Sequence, residues 1–322
     1  MVTSICLQAP PAKVDASQLW TGDAGHRLVE AVLEVCRTEA EQDFSLQLLQ
    51  TLVSLPEFIP SVFGHLGPSS KLLLLDILTA FLSQDGESDG DDAPTTTGSV
   101  PLPGQQSIPL GLSASLAVEH LARVFEEEAG CVFGLVSDEQ WNTMEEQQKP
   151  QLVMRLLNVL CTVTGNIQVA SALQHHMSLL ECSLGLLDRA HSLGKTGTNH
   201  FTSTKTLEGD RAQSNPVFGF KRDLVRLIGN MCHGHTANQD KVRELQGIPV
   251  LLEQCNIDDS NPFIAQWAIF ALHNLCEGNL QNQGVIAEMT NRGVVNNDQL
   301  QQYGFQAEYR DGQMYYKPTR KK

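Results

Sequence analysis

An all-α fold of stacked helical repeats is what this 322-residue sequence predicts, and three observations predict it. First, one pattern is written twice between Phe220 and Val295. The first copy reads Leu227-Ile228-Gly229-Asn230-Met231-Cys232, then Asn238-Gln239, then Gly247-Ile248-Pro249; the second reads Ala271-Leu272-His273-Asn274-Leu275-Cys276, Asn282-Gln283, Gly293-Val294-Val295. Second, Asn230 to Asn274 and Gln239 to Gln283 are both 44 residues, the period of helical solenoids of the armadillo or HEAT type. Third, Phe263, Ile264, Trp267, Ala268, Phe270, Ala271, Leu272 and Leu275 cover most sides of one helix, which predicts burial between neighbours. No unit can bury that surface alone, so units must stack. The fold class expected is an armadillo/HEAT-like helical solenoid with a disordered acidic loop and a small C-terminal β-hairpin.

Taken in order, residues 1–83 form an N-terminal helical, repeat-like segment. A helix is expected over about 25–40 with Leu28, Val32, Leu33 and Val35 inward, a second over 43–55 carrying Phe44, Leu46, Leu49 and Leu52, and a buried third over 71–83. Pro56 and Pro60 bracket the turn between the last two. Residues 84–110, with Asp85, Glu87, Asp89, Asp91 and Asp92 followed by Pro, Thr and Gly, read as a disordered linker.

Residues 111–295 carry the armadillo-type repeats. A helix over 112–129 puts Leu116, Val118, Leu121, Ala122 and Phe125 inward, and Pro150 opens another over 152–163. Arg155-Leu156-Leu157 and Cys161 precede Arg226-Leu227-Ile228 and Cys232 by 71 residues, a third copy lengthened by a loop at 192–218. Asn261 is expected as the N-cap of the second copy's long helix, with Pro262 at its first position. After a short helix ending at Gly304, residues 296–322 close with strands around Asp311-Gly312, a hairpin signal, and a basic tail.

The formal net charge of −15 disfavours nucleic acid as a partner, because phosphate binding needs basic patches. The longest apolar stretch, 72–82, contains Asp76 and falls short of a bilayer span. The N-terminus lacks a basic start and apolar core, so no secretory signal is expected. Eight cysteines are scattered without a C-x-x-C pair; they read as small buried hydrophobes in a reducing compartment.

Motifs for chemistry fail on spacing. Gly194-Lys195-Thr196 has Arg189 where a P-loop needs glycine. Cys232-His233-x-His235 is half a metal site with no second pair of ligands. His175-His176 has no companion, and no nucleophile elbow or H-E-x-x-H run occurs. Neither an enzyme, a metal nor a cofactor is expected.

The repeat architecture offers a groove instead. In armadillo solenoids the asparagine at the place of Asn230 and Asn274 faces an extended bound peptide. One turn earlier stand Arg226 and Phe270, where nuclear-import adaptors carry tryptophan. Asn230, Asn274, Arg226 and Phe270 are thus the candidate partner-binding residues; the alternative is that both asparagines bridge repeats inside the solenoid. Trp267, Leu227, Ile228, Leu272 and Leu275 are the expected structural core.

The run 227–232, Asn238-Gln239-Asp240-Lys241-Val242, Gly247-Ile248-Pro249, Asp258-Asp259-Ser260-Asn261-Pro262-Phe263, Trp267, Asn282-Gln283, Ile286-Ala287 and Tyr303-Gly304-Phe305 resemble the C-terminal domain of the ataxin-10 family. The resemblance is specific over about 216–322, plausible over 150–190 and faint before. It implies a cytoplasmic, non-enzymatic armadillo-type scaffold, perinuclear and at the midbody or near centrioles. Implied roles are neuronal survival, neurite outgrowth and regulation of cytokinesis. Implied partners are a G-protein beta subunit and the O-linked N-acetylglucosamine transferase. The alternative to an adaptor is a self-associating homo-oligomer whose repeats pair between copies.

Overall fold

The computed structural model describes residues 20, 22–37, 42–84, 112–136, 144–166, 170–197, 199–203 and 215–291, and the backbone of 305–310 and 313–318. The 84–110 linker beyond Gln84, residues 198 and 204–214 of the 192–218 loop, the short helix before Gly304 and the end of the basic tail lie outside these residues.

The described residues through 291 form helices and their connections, consistent with a helical solenoid. Its helices are α1 (Gly22–Arg37), α2 (Gln42–Val53), α3 (Phe58–Val62), α4 (Pro68–Gln84), α5 (Leu112–Glu128), α6 (Met144–Gly165), α7 (Ser171–Gln174), α8 (Met177–Lys195), α9 (Phe220–Cys232), α10 (Thr236–Glu244), α11 (Gly247–Glu253), α12 (Ile264–Cys276) and α13 (Leu280–Asn291). Short 3₁₀ turns, Phe63–His65 and Ala129–Val136, follow α3 and α5. The backbones of Phe305–Arg310 and Gln313–Pro318 pair antiparallel, with Glu308 opposite Tyr315; the fold class rests on the helices alone.

The long helices stack in sequence: α4 packs on α6, α6 on α9, and α9 on α12. One continuous apolar core runs through them, from Trp20 and Leu33 through Phe58, Leu75, Phe125, Leu157 and Leu227 to Ala271 and Leu275. The N-terminal third is therefore part of the stack. Arg155 Nε donates to both carboxylate oxygens of Asp76 at 2.9 and 3.0 Å, tying α6 to α4. Glu30 of α1 accepts from the Gly67 amide at 2.6 Å and from the Ser70 hydroxyl, capping the start of α4. Gly229 sets the α9–α12 spacing, because a Cβ there would lie 2.9 Å from that of Ala271.

Several expectations are corrected. In α1 the buried face is Val29, Leu33 and Cys36, whereas Leu28 and Val35 are exposed; spacings of four and three select one stripe, and those two fall outside it. Phe44 and Leu116 are exposed for the same reason. α6 starts at Met144 and carries Pro150 in its interior. α12 starts at Ile264, not Asn261: Phe263 takes the cap position with φ of 64°, and Asn261 is held outside the helix by Asp258. α8 runs to Lys195, into the expected loop, and Phe201 and Val217 within that loop are buried. Phe201 wedges between Phe133 (5.3 Å between ring centroids) and Phe220 (6.2 Å), so this part of the loop is anchored. Finally, α12 is not buried all round: Ile264, Ala268, Ala271 and Leu275 are covered, while Ile269 and Phe270 face solvent.

Candidate protein-binding face

Each repeat ends its long helix in carbonyl groups that no intrahelical donor reaches. Here asparagine and glutamine side chains of the next short helix supply the donors. Asn238 of α10 donates to the Met231 carbonyl seven residues earlier at 2.7 Å and to Gln174 of the preceding unit at 2.8 Å. Forty-four residues on, Asn282 repeats both bonds, to Leu275 at 2.8 Å and Gln239 at 3.1 Å. Gln239 reaches forward, donating to the carbonyl of Asn274 at 2.8 Å and to those of Cys232 and Glu277 at 3.3 Å. Gln174 makes the equivalent forward bond, to the His233 carbonyl at 2.9 Å. Amides thus join three successive units.

Asn230 and Asn274 belong to this set, which corrects their assignment to a groove. Asn274 is buried, and its Nδ2 donates to the Gly229 carbonyl at 2.9 Å. Asn230 is buried too, and its Nδ2 donates to the Cys161 carbonyl at 3.3 Å and to Thr164 Oγ1 at 3.2 Å. Both amides are spent on the preceding long helix. The pattern also corrects the register of the third copy: by its bonds, Cys161 takes the place of Gly229, an offset of 68 residues rather than 71.

Arg226 and Phe270 stay at the surface, joined by Trp267. The Arg226 guanidinium lies 5.1 Å from the centroid of the Trp267 ring, within cation–π range. Trp267 and Phe270 meet edge to face at 5.8 Å and 86°. Trp267 is half-buried rather than core, because only one side of its ring turns toward α9. Leu272 is likewise half-buried, while Leu227, Ile228 and Leu275 are core as expected. Arg226 Nε is buried with no hydrogen-bond partner among the described residues.

The remaining polar clusters are structural. Lys221 and Asp258, both buried, pair at 2.7 Å. Asp258 also accepts from Ser203 Oγ at 3.1 Å, Asn261 Nδ2 at 2.9 Å and the Ser260 amide at 3.1 Å, which fixes the turn before α12 to the 199–203 loop. Nothing in the spacing of Lys221 and Asp258 announced this pair. His235 Nε2 lies 3.4 Å from His175 Nδ1, but among the described residues no group of three or more His, Cys, Asp or Glu could hold a metal. The seven described cysteines are free thiols. Burial pushes those of Cys161 and Cys232 up, and raises Cys131 and Cys182 to about 11, so none of these four is a ready thiolate at neutral pH. No described helix is long and apolar enough to cross a membrane.

Residues 220–317 match the family described as "Spinocerebellar ataxia type 10 protein domain". Over 290 residues the chain is 34% identical to the ataxin-10 of Macaca fascicularis, covering 90% of this chain and 56% of that protein. It is 31% identical to that of Bos taurus over 327 residues, 98% of this chain and 64% of the relative. The match to the ataxin-10 homolog of Dictyostelium discoideum is 44% over 88 residues, 27% of this chain and 14% of the relative. The chain therefore spans between about half and two thirds of the animal relatives' length.

Proposed function

This chain belongs to the ataxin-10 family, and from that premise we propose that it is a non-enzymatic, armadillo-type scaffold that binds other proteins. The single observation that carries the reading is Arg226. It is stacked on a half-exposed tryptophan beside a half-exposed phenylalanine, with a buried donor unpaired among the described residues. A main-chain carbonyl or a carboxylate from an extended segment meets the half-buried Arg226 guanidinium, while Trp267 and Phe270 supply apolar contact. In this reading recognition lies at the rim of the stack, one turn from the positions of Asn230 and Asn274.

The partners put forward are those the family resemblance implied: a G-protein beta subunit and the O-linked N-acetylglucosamine transferase. The cellular setting put forward is the perinuclear cytoplasm and the midbody or centriole region, with roles in neurite outgrowth and cytokinesis. The test is capture of each candidate by the whole chain and by Arg226→Met. Loss of about 1–3 kcal/mol of binding, with melting unchanged, is expected for one ordered, desolvated hydrogen bond. Equal capture of both partners by both chains would remove Arg226 from the site.

A second reading is pairing of copies through the exposed end of the stack, where Phe263, Ile269 and Leu280 are 70%, 62% and 79% exposed. Light scattering over a concentration series separates it from the first.

A further inference from the structure

The last long helix, α12, turns to solvent the same face by which its predecessor packs. In α9 that face is Arg222, Val225 and Gly229; Val225 is fully buried, and Gly229 meets Ala271 too closely for any side chain. Forty-four residues later the same positions are Gln266, Ile269 and His273, spaced three and four apart on one face, and all three are exposed. The amide stitching points the same way. Gln239 reaches the carbonyls of the following long helix, whereas its equivalent Gln283 is exposed and donates to Cys276 of its own unit at 2.8 Å. The end of the stack is therefore open, with exposed Ile269 at the centre of a face that the preceding helix buries.

The cover is not another copy of the repeat in this register. His273 stands where Gly229 allowed close approach, and its side chain would hold a further long helix off. What the chain offers instead is the strand pair 305–318. Its register opposes Phe305 to Pro318, Ala307 to Tyr316 and Tyr309 to Met314, alternating with Gln306 to Lys317, Glu308 to Tyr315 and Arg310 to Gln313. Successive strand positions belong to opposite faces. One face of the pair therefore carries only apolar and tyrosine positions, while the other carries the amides, the charges and Tyr315. A two-stranded hairpin alone is marginal in water and needs such a face covered. The 13 intervening residues, 292–304, reach up to about 43 Å when extended. The 12-residue α13 that precedes them packs on α12 and is only about 18 Å long. We propose that the strand pair 305–318 folds back over the Gln266, Ile269 and His273 face of α12 and caps the open end of the stack.

Hydrogen exchange on the whole chain tests this. The wild type is expected to show protected amides in 305–318 at a level independent of protein concentration. Ile269→Asp, a change at an already exposed position, is expected to release them to the rate of an unprotected peptide while α9 keeps its protection. Tyr309→Asp is the reciprocal variant and keeps the test sound should Ile269→Asp fail to fold: it should expose 305–318, whereas Gln306→Asp on the polar face should not. The proposal is overturned if 305–318 exchanges freely in the wild type, or if neither Ile269→Asp nor Tyr309→Asp changes its protection. Protection that appears only as concentration rises would also overturn it, since a second copy would then be the cover.

Discussion

Gln239 gives the sharpest stability prediction. Its side chain is buried, with three carbonyl acceptors around Nε2. Replacing it with Met keeps the volume and removes the donor. The Cys232 carbonyl still receives the His235 amide at 3.2 Å, and the carbonyl of exposed Glu277 can turn to water. The Asn274 carbonyl, on a residue only 1% exposed, has no such recourse. One stranded buried carbonyl costs about 1–3 kcal/mol. At about 2 °C per kcal/mol for a chain of this size, melting should fall by about 2–6 °C. Gln283, 44 residues later, is the internal control. It makes the same local bond, to the Cys276 carbonyl, but is exposed and has no forward partner among the described residues, so Gln283→Met should stay within about 0.5 kcal/mol of wild type. Differential scanning fluorimetry of the two variants decides. Equal shifts, large or small, would refute the view that forward amide bonds hold consecutive units together.

Other outcomes follow from the same geometry. Lys221→Met leaves the buried Asp258 carboxylate without its cation and should cost about 3–5 kcal/mol in urea unfolding. Trp267→Ala should fall short of the roughly 3–5 kcal/mol of a full core truncation, because the ring is half-exposed, and it should weaken partner capture along with Arg226→Met. Burial lowers the basicity of His120, helped by Arg123 and opposed by Glu127, and that of His191, helped by Lys195 and Lys221 and opposed by Glu253. The unfolded chain takes these protons near pH 6.5 and the folded chain only below it. The unfolded state then holds more protons, so stability should fall as pH drops from about 6.5 toward the folded values. A melting temperature flat between pH 7.5 and 5.5 would contradict this.

Much of the fold was legible because the repeat is written in chemistry that stacking requires. Asn230, Asn238 and Gln239 recur as Asn274, Asn282 and Gln283; both asparagines keep their bonds, while Gln283 keeps only the local one. Period alone could not say which way an amide points. Asn230 and Asn274 were open between groove and bridge until their acceptors, Cys161 and Gly229, came into view from 69 and 45 residues away. The third unit was misplaced by three residues because Arg-Leu-Leu and Cys161 matched by composition, while the bond pattern that fixes register lies in carbonyls. The Lys221–Asp258 pair and the Phe201 wedge were invisible for a similar reason. Both depend on a loop returning to the stack, and nothing local in the sequence marks where it lands.

The recurring amides hold the stack, and the proposed meeting point with partners lies one turn away, at Arg226 and Trp267. The double variant Asn230→Ala/Asn274→Ala, measured for both melting and partner capture, tests this most directly. A lower melting temperature is expected, from about 1–3 kcal/mol for the stranded Gly229 carbonyl and less for the Cys161 carbonyl, which keeps Thr164 Oγ1 at 3.3 Å, with undiminished capture per folded molecule. An unchanged melting temperature with weakened capture would put both amides back in the groove.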